Sequence, residues 1–332
     1  IMVYNKYIGI IGGTGTIGSI IVKYLLQLQT HFHVLIGGRR SIKEISMSTF
    51  YNSERLKYNQ MNYNNDVELD NFCSQCLLVI NAVGPSFKIN DKIALHALRN
   101  NCHYIDIGGY GILRDLLKPY EKSIEAQKLC FIIGVGWMPG ISGVFSKTII
   151  ETHLNSPENT NFNIYYGAVD NWSYSSTYDL AASSMGKTRS YVYSHGKEIQ
   201  VSPFRYTHHK FFPFIGHKKI CMPSFDEQLT QLATSLKQIR KISTFIMLND
   251  YISMGKFMFI KIFYKHNLNK ATLMLQDYYQ RLVKKENKWG SVICQVSKIE
   301  PERKIDTFYY LYSKYTLLYT ALPAGMSRQY IL

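Results

Sequence analysis

The chain has 332 residues, 46% hydrophobic and 18% charged, with a formal net charge of +15 and six cysteines. That length leaves room for two domains with real cores and excludes a disordered or fibrous chain, and the cysteine content excludes a disulfide scaffold. The positive charge comes without a nucleic-acid recognition motif, which argues against a nucleic-acid partner. The most apolar late segment, 243–263, is interrupted by Asn249, Asp250, Lys256 and Lys261, so it predicts a buried or amphipathic helix and no membrane partner. No charged leader precedes an apolar stretch at the start, and the expectation is a cytoplasmic protein with reduced thiols.

An apolar run at 7–11 leads into Gly12-Gly13-Thr14-Gly15-Thr16-Ile17-Gly18, and a helical pattern follows at 20–26. Strand, glycine turn and helix in that order predict a dinucleotide site. Gly13 lets the chain turn out of the strand, Gly15 clears space for a pyrophosphate, and Gly18 lets the helix pack closely. The new helix offers free N–H groups and its positive dipole end to phosphate.

The second strand is predicted at 32–36, ending in Gly37-Gly38-Arg39-Arg40. NAD-binding folds usually carry an acidic residue here for the ribose hydroxyls. Two arginines instead suit the 2′-phosphate of NADP, because guanidinium forms charge-assisted, often bidentate bonds to phosphate. Arg39 is the stronger candidate; solvated surface arginines are the alternative. Residues 55–62 contain the third strand and 67–76 a helix, with Cys73 and Cys76 as small core-facing side chains rather than a metal or redox pair. A continuous apolar run at 77–80 predicts a strand buried on both faces. It ends in Asn81-Ala82-Val83-Gly84-Pro85, small enough to let the cofactor's sugar and diphosphate pass.

Helix 91–100, strand 102–110, a helix over 113–128 broken at Pro119, and strand 130–135 complete the alternation. Right-handed crossovers then build a Rossmann-type, doubly wound parallel sheet, with ligands beyond the carboxyl ends of its strands. Glycine-rich or polar stretches stand at four such ends. Asp106 and Tyr110 follow the fifth strand and are candidate proton donors, with an N-cap or structural hydrogen bond as the alternative for Asp106. Trp137 and Met138 are candidates to wall the nicotinamide, with core packing as the alternative.

These residues resemble the saccharopine dehydrogenase family and its smaller reductase relatives. The likeness rests on the glycine turn, Gly38-Arg39-Arg40, Asn81 to Pro85, Ala97 through Tyr104-Ile105-Asp106, and Gly136 to Pro139-Gly140, over roughly 7–145. It implies a Rossmann domain, NAD(P), and a second α+β domain closing over the substrate, with chemistry that makes or cleaves a secondary amine through an imine. Where many relatives carry an acidic residue, this chain has Tyr110. That departure puts an inherited carboxylate role, and the family's substrate, in question.

The second half, 142–312, predicts an α+β substrate or dimerisation domain, with 313–332 returning to the first domain at 1–141. Strands are expected at 162–169, 190–193, 198–201, 289–299 and 305–312, and helices at 226–239, 243–261 and 270–285. His208, His209, Arg189 and Arg205 could line a substrate site or simply lie at the surface. Tyr-x-x-x-Lys occurs at Tyr193/Lys197, Tyr206/Lys210 and Tyr310/Lys314, none on a convincing helix after the fifth strand, so the short-chain dehydrogenase class is rejected. No metal-ligand signature appears. From Lys237 to Lys304 there are 14 Lys/Arg against 5 Asp/Glu, which suits an anionic or carrier-protein-bound small-molecule substrate or a solvated surface. The expectation is a homodimeric NADPH-dependent reductase acting on a C=N bond in an interdomain cleft. Reduction of C=C or C=O bonds, or non-catalytic NADP binding, are the alternatives.

Overall fold

A computed structural model describes residues 7–28, 31–41, 53–108, 111–154, 157–185, 190–224 and 227–331. Two compact units divide the chain: Ile1–Ile141 with Leu317–Leu332, and Ser142–Thr316.

The first unit mixes strands and helices along its described length. Its elements are β1 (Tyr7–Ile11), α1 (Thr16–Gln27), β2 (Val34–Gly38), β3 (Leu56–Gln60), α2 (Asp66–Cys73), β4 (Cys76–Asn81), α3 (Ser86–Ile89), α4 (Lys92–Arg99), β5 (His103–Asp106), α5 (Gly111–Leu117), α6 (Glu121–Ala126) and β6 (Phe131–Ile132). The strands form one parallel sheet in the order β3-β2-β1-β4-β5-β6. The strand order reverses between β1 and β4, and that switch point opens a crevice at the carboxyl edge.

Apolar runs in β1, β2 and β4 exist because both faces of this sheet are covered. Leu35, Val79 and Tyr104 face Leu69, Phe72, Ile93 and Ala97 from α2 and α4. Ile8, Ile10, Ile36, Ile80 and Ile105 face Ile21, Val22 and Leu25 from α1. Asn65 caps α2 by accepting from the Val67 and Glu68 amides, while the Glu68 carboxylate accepts back from the Asn62 amide and from Asn65 Nδ2. Cys73 and Cys76 are fully buried on the α2 side of the sheet. The expected break at Pro119 is a short 3₁₀ turn, Lys118–Tyr120, between α5 and α6. The expected strand over 130–135 narrows to two paired residues.

The second unit contains α7 (Ile141–His153), β7 (Thr160–Val169), α8 (Tyr174–Met185), β8 (Tyr191–Ser194), β9 (Lys197–Gln200), α9 (Pro203–Tyr206), β10 (His208–Phe212), β11 (His217–Pro223), α10 (Glu227–Ser235), β12 (Lys241–Leu248), α11 (Tyr251–Phe263), α12 (Leu268–Lys285), β13 (Trp289–Ile299) and β14 (Lys304–Ser313). The mixed sheet runs β10-β11-β12-β7-β13-β14, and the β8–β9 hairpin joins it at β12. α13 (Thr316–Ser327) then buries Ala321 and Ala324 against the α1 side of the first sheet.

Residues 243–261 are not one helix: Ser243 to Leu248 lie in β12, paired with β7 and β11, and a helix begins only at Tyr251. Thr244, Phe245 and Ile246 favour the pleated, half-buried surface of a sheet. Asn249 and Asp250 then break the run, and the Asp250 carboxylate accepts from the Ser253 amide at 2.7 Å as the N-cap of α11. Strands β10 and β11, in an aromatic, proline-flanked stretch, were not expected from the sequence.

Candidate functional site

The site grows from the turn after β1. The Gly12 amide donates to the Gly37 carbonyl at 2.8 Å, tying the turn to the end of β2. Gly12, not Gly13, adopts the left-handed conformation, with φ +82°. A side chain there would press on the Ala82 backbone at 3.0 Å. Gly18 packs on the turn itself: a Cβ would sit 2.2 Å from the Gly12 carbonyl oxygen. No side chain caps α1, whose N-cap is Gly15 in extended conformation. The first-turn N–H groups of α1 are therefore left to an anion rather than to the protein's own oxygen. This cradle, bare of side chains, fits a dinucleotide pyrophosphate. Thr14, Thr16 and Ile17 complete it.

At the end of β2 the two arginines behave differently. Arg40 Nη2 donates to the Thr14 carbonyl at 3.0 Å, bracing the strand end against the glycine turn. Arg39 is exposed, and its guanidinium has no hydrogen-bond partner among the described residues. Tyr58 on β3 supports the loop, its hydroxyl donating to the Gly38 carbonyl at 2.9 Å and to that of Arg40. A side chain at Gly38 would approach that hydroxyl at 3.0 Å. Tyr58 lies in a strand of mixed polarity and carried no sequence signal.

The ends of β4 and β5 are locked together. Asn81 Nδ2 donates to Asp106 Oδ2 at 2.9 Å, and Asn81 Oδ1 accepts from the Val83 amide at 3.0 Å. The Ala82 amide donates to Ile11, so the Asn81-to-Pro85 segment, with a cis Gly84–Pro85 bond, lies beside the glycine turn. Asp106 is 3% exposed and fully engaged. It accepts from Tyr104 OH at 2.5 Å and from the Gly108 amide at 2.8 Å as well. Burial pushes its carboxyl above the usual Asp range, against the pull of the Tyr104, Asn81 and Gly108 hydrogen bonds. Burial and the adjacent carboxylate push the Tyr104 hydroxyl up as well. A pocket opens here, lined by Asn81, Ser86, Ile89, Asp106, Ile112 and Leu113 among others.

Tyr110 lies outside the described residues, as does Arg189. Trp137 follows Gly136 in a turn that includes the cis Met138–Pro139 bond. Its ring stacks on Tyr319 of α13, with centroids 6.1 Å apart. In the second unit, His208 donates to the Tyr206 carbonyl and packs edge-on against Tyr165 and Phe245. His209 packs on Tyr251, and Arg205 is exposed. Among the described residues no three His, Cys, Asp or Glu side chains group as metal ligands.

A parallel sheet in this order, with an uncapped helix start at its switch point, defines a nucleotide-binding Rossmann domain. Residues 8–130 match the family described as the saccharopine dehydrogenase NADP binding domain. The first unit is an NADP(H)-binding domain. Among solved structures, the chain is similar to the apo histidine-tagged saccharopine dehydrogenase (L-Glu forming) from Saccharomyces cerevisiae, with 13% identity, 98% of this chain and 91% of that one covered, and a TM-score of 0.65. At that identity the likeness speaks to fold alone. Weaker likenesses include an engineered D-amino acid dehydrogenase bound to NADP+ (10% identity, 99% and 91% covered, TM-score 0.46) and the dipicolinate-bound dihydrodipicolinate reductase from Paenisporosarcina sp. TG-14 (11%, 98% and 95%, 0.43). No curated protein matches the sequence.

Proposed function

We propose that this protein is an NADPH-dependent reductase of a C=N bond. The observation that carries the reading is the joined end of β4 and β5, where the Asn81–Asp106–Tyr104 network lies beneath a pocket at the carboxyl edge of an NADP-binding sheet. The resemblance to the saccharopine dehydrogenase family supports the choice of an imine. When bound, NADPH would supply the hydride for the imine carbon, and a proton added at nitrogen would complete the amine.

The chain's own residues bind, orient and hold protons. The glycine turn and the start of α1 hold the pyrophosphate, and Arg39 pairs with the 2′-phosphate. The small Asn81-to-Pro85 segment lets the cofactor pass, and Trp137 closes the nicotinamide end. Asp106 has both carboxylate oxygens occupied by Asn81, Tyr104 and Gly108, so it acts as a positioning residue that fixes two strand ends. Tyr110, just beyond Gly108 in the chain, is the proposed proton donor.

The test measures NADPH oxidation with a panel of imines, enones and ketones. Turnover confined to imines is the expected result. In the same assay Tyr110→Phe should lower kcat by roughly a hundredfold, the usual scale of general-acid catalysis, with KM little changed. Turnover on enones or ketones alone would replace the reaction assigned here.

A further inference from the structure

Helix α11 is apolar on two opposite sides, and only one of them is used. Its inner side packs Ile260 and Phe257 against Ala181 of α8 and Ala271 and Leu275 of α12. Its outer side carries Tyr251, Ile252, Met258, Phe259, Ile262 and Phe263, with Ile252 62%, Ile262 65% and Phe263 65% exposed. A Cβ at Gly255, between them, would meet nothing within 4 Å. Phe259 and Phe263, one turn apart, hold their rings 4.6 Å from each other. Apolar groups this large in one contiguous row on a water-facing helix mark an interaction surface.

The charges around the row choose the partner. Residues 251–270 contain Lys256, Lys261, Lys265, Lys270 and His266 and no acidic residue. A second copy would set lysines against lysines. An acidic protein would need a groove cut to fit a convex ridge, whereas a lipid surface deforms around one. A helix of 13 residues, about 20 Å long, with bulky apolar side chains outward and lysines alongside has the form of an interfacial helix. We propose that α11 docks the protein onto an anionic lipid surface, with Ile252, Phe259, Ile262 and Phe263 entering the headgroup–acyl boundary and the lysines meeting lipid phosphates and carboxylates. No described helix is long and apolar enough to cross a membrane, and α11 on this reading lies along the surface.

The test sediments the full-length protein with vesicles of phosphatidylserine and phosphatidylcholine in equal parts, and with vesicles of phosphatidylcholine alone. The bound fraction should be roughly tenfold higher on the anionic vesicles and should fall steeply at high salt. The triple variant Phe259→Ser, Ile262→Ser, Phe263→Ser should lose the binding while keeping its NADPH affinity. These side chains lie outside the core, so the variant folds; a melting temperature matching the parent verifies this. A second variant, Lys265→Gln with Lys270→Gln, both exposed, should bind both vesicle types equally weakly. Three results would overturn the proposal. One is no sedimentation with anionic vesicles. Another is binding that survives the triple variant. The third is a dimer in gel filtration that the triple variant turns into monomer without any vesicle binding, which would assign the face to a second copy.

Discussion

Arg39 is the residue whose chemistry is simplest to isolate. It is exposed, with no hydrogen-bond partner for its guanidinium among the described residues, beside a loop that Tyr58 and Arg40 already stabilise. Arg39→Ala should weaken NADPH binding roughly tenfold or more, the scale of a lost charge-assisted contact, and leave NADH within about twofold. Titration of both cofactors decides it, and equal losses would remove the 2′-phosphate from Arg39. Arg40→Ala should lower affinity for both cofactors alike, because its guanidinium braces the glycine turn through Thr14. Asp106 makes a prediction in pH. Its folded-state value is raised by burial, so the stability it contributes is fully present below the unfolded Asp value and is lost as pH rises through the folded one. Thermal melts from about pH 4 to neutral should therefore show the wild type losing ground to Asp106→Asn as pH rises. A wild type that gains on the variant over that range would mean that the hydrogen bonds from Asn81, Tyr104 and Gly108 outweigh burial.

At the scale of elements, the turn between β1 and α1 tolerates least. Gly18→Ala places a methyl group 2.2 Å from the Gly12 carbonyl oxygen, a backbone atom that cannot rotate away. A loss of about 3 kcal/mol or more, with NADPH binding abolished, is expected from denaturant titration and cofactor fluorescence. The motif was legible because a side chain at Gly12, Gly15 or Gly18 would meet backbone and one at Gly13 would meet Ile36. Which glycine turns left-handed was not, since Gly12 and Gly13 are identical in sequence and only the tie to Gly37 distinguishes them. The Asn81–Asp106 bond was equally hidden. It joins residues 25 apart whose register is set by the pairing of β4 with β5. In the second unit the stretch from Ser243 to Phe263 shows the limit of hydrophobic runs, which read alike in a buried strand and a buried helix. Asn249-Asp250 was the usable signal. Asp250→Ala should destabilise the protein by about 1–2 kcal/mol through the lost cap and the lost hydrogen bond from Tyr278. Burial raises the Asp250 carboxyl, but the Ser253 and Tyr278 hydrogen bonds outweigh it and hold the group below the usual Asp range. Its contribution is thus present near neutrality and lost as pH falls through the depressed value.

Across the whole molecule, the two units differ in how openly the sequence declares them. The first is a series of strands and helices in which four strand ends carry glycine-rich or polar stretches, so sheet and cofactor could be read together. The second builds its sheet from strands far apart in the chain, with β7 between β12 and β13, and such pairings leave no local pattern. The proposed reaction draws on the NADP-binding edge of the first unit. The most direct test of that assignment is the rate of NADPH oxidation by the purified protein with imines formed from primary amines and keto acids, followed together with the secondary amine produced. Amine should form in equal amount to the NADPH consumed, with NADH a much poorer donor. Tight NADPH binding with no amine formed from any imine would contradict it.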